Sequence, residues 1–486
     1  MKKRILACIV CLCIVLSIAP TIVFAAEERV TSINDNGFRV WSDDDKEFIN
    51  RTSFREGNVV VIDQAGNYNV EGSTTRYRIG IRITDETKAG DVKIALNGTS
   101  IKPTAPGAAI GVAEECAKET KVTIELSEGP TNVVKGCENA GINNLGRELK
   151  IVGKGTLDAT GDNYAAGIGG GDKGNGSNIT ISGSAKVYAT GNMWGAGIGG
   201  GYRGIGSNII ISGSAKVNAE GGSSGAGIGG GYKGNGSNIT ISGSTKVEAK
   251  GGYDGAGIGG GYYGNGTNIT ISDHAMVTAI GGPRYGIGQG AGIGGGDHGN
   301  GSNITISGSA EVYAKGGYRR NTIDSTDSKR LEECRKRGTL RLWVDNDGTS
   351  ELYSDCNIAA GIGGGYQGNG SNITIFGNPT IKAISEMDGA GIGNGLGATG
   401  ESKITISGGT IKTSYCKPFS NTPNLSGYKS PEIWLNGERH YYPHDDMFIK
   451  DAPEFEIKPA ASVSPSTDVP SASNTSGSTD SSDLMD

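Results

Sequence analysis

The run beginning at Ala165 decides the fold: AAGIGGGDKGNGSNITISGSAKVYATGNMW (165–194), GAGIGGGYRGIGSNIIISGSAKVNAEGGSS (195–224), GAGIGGGYKGNGSNITISGSTKVEAKGGYD (225–254) and GAGIGGGYYGNGTNITIS (255–272). The isoleucine of each AGIG stands at Ile168, Ile198, Ile228 and Ile258, a period of 30 residues without drift. Self-similarity at a fixed period of this size marks a solenoid or a propeller, in which each unit buries its apolar face only against its neighbours. The motif resumes at Ile293, Ile362 and Ile392, and looser copies precede it at Ile142 (NAGINN) and Ile110 (GAAIGV).

Within one unit, NITIS alternates apolar and polar residues, so Ile179 and Ile181 share one face while Thr180 takes the other. AKVYA repeats the pattern with Ala185, Val187 and Ala189 against Lys186 and Tyr188. GAGIG places Ala196 and Ile198 on one side and only hydrogens on the other. Glycine-rich corners separate the three pieces, as turns with positive φ require. No helical period of 3.6 residues runs through the repeats. Three strands and three corners per constant period describe one coil of an all-β, right-handed parallel β-helix, a solenoid of about nine or ten coils. A propeller blade needs four strands and a longer period. Stacking then forms one internal column from Ile179, Ile209, Ile239, Ile269, Ile304, Ile373 and Ile404, and another from Val187, Val217, Val247 and Val277.

The flanks complete the domain reading. Residues 1–25 read as a secretory signal, with Lys2, Lys3 and Arg4 ahead of the apolar run Ile5–Ile18 and a Val-Phe-Ala cleavage site before Ala26. The expected location is therefore extracellular, at or beyond a cell surface, and no later apolar stretch is long enough to span a bilayer. Loss of the three basic residues takes the formal charge from −6 to −9, which argues against nucleic acid as a partner. Residues 26–55 read as a leader or cap, 56–415 as the β-helix, 416–458 as a C-terminal cap and 459–486 as a Ser/Thr/Pro-rich tail. The segment 317–356 interrupts the array with YRRNTIDSTDSKRLEECRKRG and then TLRLWVDNDGTSELYS, two alternating runs around a turn. Five cysteines remain after the signal (Cys116, Cys137, Cys334, Cys356 and Cys416), none at metal-ligand spacing, and their pairing stays open.

The order GNYNVEG, DVKIALNGTSI, GAAI, KVTIELSEGPTNVV, AGINN, LKIVGKGTLDAT over roughly residues 56–170 resembles the secreted carbohydrate-binding β-helix family of the clostridial polygalacturonate-binding type. The resemblance implies a right-handed parallel β-helix that binds acidic plant polysaccharide, with calcium, rather than cleaving it. One departure matters: where that family carries an Asp before Gly-Ile, this chain has Ala140, Ala166, Ala196, Ala226 and Ala256. The aspartate's calcium role does not transfer, so no cofactor is expected from the residues themselves.

A fixed period turns each outward position into a column. Tyr202, Tyr232 and Tyr262 follow GGG in successive units and form a candidate strip for sugar rings. Lys186, Lys216 and Lys246 form a second candidate, a track for carboxylates along an acidic polymer. Stacked like charges at about 5 Å in water repel by only about 0.8 kcal/mol per pair, so the lysines also stand as an ordinary solvated face. The glycines at 195, 197 and 199 and their copies suggest a side-chain-free sheet face, to be covered by the 317–356 insertion, the N-terminal segment, a second subunit or a flat glycan. The Asn178, Asn208, Asn238, Asn268, Asn303 and Asn372 column reads as a structural amide ladder. A catalytic cluster is not expected, because Asp162, Asp172, Asp254, Asp273 and Asp297 fall in corners of different type. Asp273-His274 and Asp297-His298 read as isolated pairs, and Arg319, Arg320, Asp345 and Asp347 sit on a charged insertion. Two functions follow: non-catalytic recognition of polysaccharide, or an adhesive surface protein that self-associates or contacts the cell wall through its glycine face.

Overall fold

Inward isoleucines every second residue and a repeat every thirtieth put each strand directly on its own copy. In one coil the strands are Ile198–Gly199, Gly206–Ile211 and Lys216–Glu220. They pair in parallel with Ile228–Gly229, Gly236–Ile241 and Lys246–Lys250, so that Ile198 meets Ile228, Ile209 meets Ile239 and Val217 meets Val247. A computed structural model of the chain describes residues 28–29, 37–49, 51–53, 58–282, 289–322, 328, 332, 340–344, 350–357, 359–385, 389–414, 418–425, 431–435, 438–440 and 454–459. It is a right-handed parallel β-helix of about ten coils. At the usual strand spacing that stack rises about 45 Å. The short Ile-Gly strands belong to one thirteen-stranded sheet.

The core is a set of columns. Ile179, Ile209, Ile239, Ile269, Ile304 and Ile373 are all fully buried, as are Ile168, Ile198, Ile228 and Ile258 on the opposite wall. The open edges of such a stack invite pairing with other chains, and both are closed by antiparallel strands. Arg39–Ser42 covers the strand Gly66–Thr74 at the first edge, and Glu454–Pro459 covers Thr410–Ser414 at the last. In the insertion, Leu340–Val344 and Tyr318–Thr322 flank Ser350–Asn357 in an antiparallel three-stranded sheet. The signal, Cys334, Asp345, Asp347, Cys416 and the tail beyond Pro459 lie outside the described residues, as do the side chains of Arg319, Arg320 and Cys356. Cys116 is buried and Cys137 partly so, and both are free thiols. Among the described residues no helix is long and apolar enough to cross a membrane.

The asparagine column forms the amide ladder read from the sequence. Each of its members takes a φ of 52–60°, and from Asn208 to Asn372 each Nδ2 donates to the Oδ1 of the preceding copy at 3.0–3.1 Å.

The glycine face requires correction. Gly195, Gly197 and Gly199 are buried without any partner molecule. A Cβ on Gly195 would lie 2.1 Å from the Ala165 carbonyl oxygen, on Gly197 2.7 Å from that of Gly227, and on Gly199 1.9 Å from that of Gly229. What approaches these glycines is the backbone of the neighbouring coil. The turn of Gly199, at φ 133°, is closed on itself by the Ala196 N–H donating to the Gly200 carbonyl. No surface remains there for a subunit or a glycan, nor is the insertion needed to cover it.

Candidate functional site

Two corners flank each Ile-Gly strand, and backbone hydrogen bonds join them with an offset of one coil. The Tyr202 N–H donates to the Tyr164 carbonyl (2.7 Å), Tyr232 to Trp194 (2.8 Å), Tyr262 to Ser224 (3.0 Å), Asp297 to Asp254 (2.8 Å) and Tyr366 to Gln289 (2.9 Å). Two columns therefore run side by side up the helix, and their rings interleave. Tyr164 stacks on Trp194 at 4.8 Å between centroids. Trp194 meets Tyr202 at 5.0 Å, Tyr202 meets Tyr232 at 5.6 Å and Tyr232 meets Tyr262 at 5.4 Å. The series continues through Tyr263 (4.2 Å from Tyr262) and His298 (4.8 Å from Tyr263) to Tyr366 (5.6 Å from His298).

The residue after Tyr202, Tyr232, Tyr262 and Asp297 adopts φ 57–59° at Arg203, Lys233, Tyr263 and His298, which turns these side chains out beside the ladder. Arg203 lies 5.0 Å from the Tyr202 ring, and Lys233 lies 5.4 Å from Tyr232 and 5.7 Å from Tyr263, distances at which a cation is attracted to a ring. From Tyr202 through Tyr232 to Tyr262 successive planes are tilted by 30–46°, so much of each of these faces is spent on the next ring. Tyr202, Tyr232 and Tyr262 are half-buried, while Arg203, Lys233 and Tyr263 are exposed.

The predicted strip of Tyr202, Tyr232 and Tyr262 is thus one segment of a longer ladder. Tyr164, Trp194 and Tyr263 were not singled out from the sequence, and His298 was read only as half of an isolated Asp-His pair. The bonding between unlike corners, one coil apart, supplies them, and nothing in a single repeat signals that offset. The lysine column is equally regular: Lys186, Lys216 and Lys246 are exposed, stand in register and have no carboxylate partner among the described residues. It begins the third strand, however, so the Gly206–Ile211 strand separates it from the tyrosine corner. The two candidate columns do not form one site.

The aspartates also need correction. Asp254 and Asp297 occupy corners of different type, yet the offset brings them together in the ladder. Burial pushes the Asp254 carboxyl up to about 6, against a weak pull from the Ser224 hydroxyl at 3.5 Å. Burial, and then the charge of Asp254, push Asp297 up to about 8, opposed by the His298 backbone N–H. His298 Nδ1 is 2.7 Å from Asp297 Oδ1 but out of line for a hydrogen bond, so both atoms are shut from solvent without one. The Tyr262 phenol is raised by its hydrogen bond with Tyr263 and then by burial. Asp297 is 2% exposed, and a general acid or base has to touch the group it serves. Asp254, by contrast, is only partly buried. Asp273 remains apart, its carboxylate accepting from the Gly243 N–H at 2.8 Å.

Calcium does not fit where the resemblance would place it. Ala140, Ala166, Ala196, Ala226 and Ala256 are fully buried and offer no oxygen ligand from a side chain. Among the described residues no three His, Cys, Asp or Glu side chains cluster for a metal.

A family model described as a beta helix repeat matches residues 149–172, 179–202, 209–232, 239–262, 269–297 and 373–396. Five of these six segments end on the post-GGG column, at Asp172, Tyr202, Tyr232, Tyr262 and Asp297. No curated protein and no solved structure matches the chain.

Proposed function

We propose that this β-helix repeat protein is a secreted, non-catalytic binder of acidic polysaccharide, and that the aromatic ladder is its contact strip. One observation carries the reading: from Tyr164 to Tyr366 a rung of ring, phenol or cation recurs coil by coil along the outside of a rigid rod. A polymer with a short repeat along its length meets such a strip in register. Arg203 and Lys233 make the strip attractive to carboxylates in a chain whose overall charge is negative. The lysine column offers a second, purely electrostatic track on another side of the coil. The adhesive alternative loses its contact surface, since the glycines are closed by the protein's own backbone.

Affinity electrophoresis of residues 26–486 through gels containing polygalacturonate, xylan or a neutral glucan tests the proposal, with calcium and with chelator. Retardation by polygalacturonate, undiminished by chelator, is the expected result. Mobility unchanged by every polymer would overturn it.

A further inference from the structure

The first coils carry a cleft that the repeats lack. In the strand Arg78–Ile81, Ile79 and Ile81 are fully buried, so Arg78, Gly80 and Arg82 face outward together. Gly80 pairs in register with Val61 on one side and with Gly111 on the other, and Gly111 with Asn143. This is the column that Gly169 and Gly199 continue in the repeats. There it is sealed by backbone; here Gly80 and Gly111 are half-buried, and a Cβ on them would meet only side chains, Val59 Cγ1 at 2.5 Å and Ala108 Cβ at 3.3 Å. A cavity of about 90 Å³ results, lined by Val59, Val61, Ala108 and Val112 beside the arginines, Asn139 and Asn143.

The polar groups around it are donors. Asn139 Oδ1 already accepts from the Ala140 N–H (2.8 Å) and from Asn143 Nδ2 (3.0 Å), and Asn143 Oδ1 accepts from the Leu145 N–H (3.0 Å). Amide hydrogens are what these side chains have left to give. The Arg78 guanidinium lies against Gly107, where a Cβ would come within 2.5 Å of Cζ. Arg82 Nε is 2.8 Å from Glu115 Oε1, whose side chain is half exposed at the rim. Two arginines and two asparagines lining a cleft over a glycine floor form a donor set that matches a planar oxyanion. The volume admits a headgroup and a few attached atoms, well short of the several hundred Å³ that hold a whole drug-sized ligand.

We propose that this cleft, formed by Arg78, Arg82, Asn139 and Asn143 over Gly80 and Gly111, is a binding site for the carboxylate of a small acid. The site is separate from the ladder and does not depend on it. The acid is either a free simple carboxylate or one borne on a sugar, and the two sources share the headgroup chemistry.

Calorimetric titration of residues 26–486 with galacturonate, acetate and galactose tests the site. Saturable binding of galacturonate without binding of galactose is expected. Acetate equal to galacturonate assigns the site to free carboxylates, and tighter galacturonate to sugar-borne ones. Arg78→Ala should weaken binding about tenfold or more. Gly111→Val should abolish it by filling the floor while the melting temperature holds. Glu115→Gln removes the negative charge at the rim and should tighten binding about threefold, a gain that a merely structural role for these residues does not produce. No heat with galacturonate, equal binding of galactose, or indifference to both Gly111→Val and Glu115→Gln would overturn the proposal.

Discussion

The N-terminal coils, residues 58–146, and the 30-residue repeats that follow meet the same stacking requirement by different means. The early coils fill their interior with large side chains, among them Tyr68, Ile79, Ile94, Leu96 and Leu126. Their strands are long: Asp91–Ile101 runs past the corner that divides later coils and pairs first with Lys121–Leu126 and then with Asn132–Lys135. At Gly80 and Gly111 the outer surface stays open to side chains, whereas Gly72, Gly136 and Gly141 already lie against backbone. The repeats narrow the coil to Ile, Val and Ala and bring backbone onto backbone at the glycines around each Ile-Gly strand, such as Gly195, Gly197 and Gly199. Repetition closes the surface that irregularity leaves accessible. The cleft therefore belongs to the first region and the continuous ladder to the second.

The largest effect that would break this comparison is a side chain at a sealed glycine. Gly229 has φ 134°, and a Cβ there would lie 2.0 Å from the Gly259 carbonyl oxygen. Gly229→Val is expected to cost more than about 4 kcal/mol or to prevent folding, against less than about 1 kcal/mol for Gly111→Ala, measured by urea unfolding.

Acidity distinguishes the regions next. Asp254 and Asp297 have folded pKa values raised to about 6 and about 8, so their contribution is present below about pH 4 and is lost as pH rises through those values. Asp44 and Asp85, in the N-terminal region, are held low by hydrogen bonds from Asn67 and Thr87, so their smaller contribution is lost as pH falls. Asp297→Asn should remove most of the decline in melting temperature between pH 4 and 8 and leave the acid limb unchanged. A decline of the same size in the variant would show that the pair is not its source.

Core columns sharpen the comparison by being alike. Ile239→Ala in the repeats and Ile94→Ala in the early coils each remove a fully buried side chain and should each cost about 2–5 kcal/mol in chemical denaturation. The amide ladder is a smaller device found in the repeats. Asn238→Ala loses the bonds to Asn208 and from Asn268 and forces φ 53° on alanine, for about 1–3 kcal/mol. Asn238→Gly restores the turn but not the bonds and should recover only part of that loss.

The coil, its three strands and its core columns were legible because period 2 within a motif and period 30 between motifs each follow from strand geometry. So was the asparagine ladder, since a stacked amide bonds its own copy. The glycine surface was misread for a reason equally physical. A strand of glycine carries no side-chain pattern, and whether its face is open depends on backbone bonding such as Gly197 to Ala226, which leaves no trace in residue type. Asp254 and Asp297 were separated because the repeat pairs each residue with its copy, whereas the corners pair Asp297 with a residue of the other corner. Between them the coil also lengthens, Ile258 to Ile293 being 35 residues, which hides the alignment. The arginine cleft escaped notice because Arg78 and Arg82 look like ordinary outward charges until Asn139 and Asn143, two coils on, are placed beside them.

The functional claim is tested most directly by running the wild-type protein and the variant with Tyr202, Tyr232 and Tyr262 replaced by Ala through polygalacturonate gels. Circular dichroism serves to confirm that both are folded. The wild type should be retarded and the variant should migrate as it does without polymer. Equal retardation of a folded variant, or free migration of the wild type, would contradict the ladder as the binding strip.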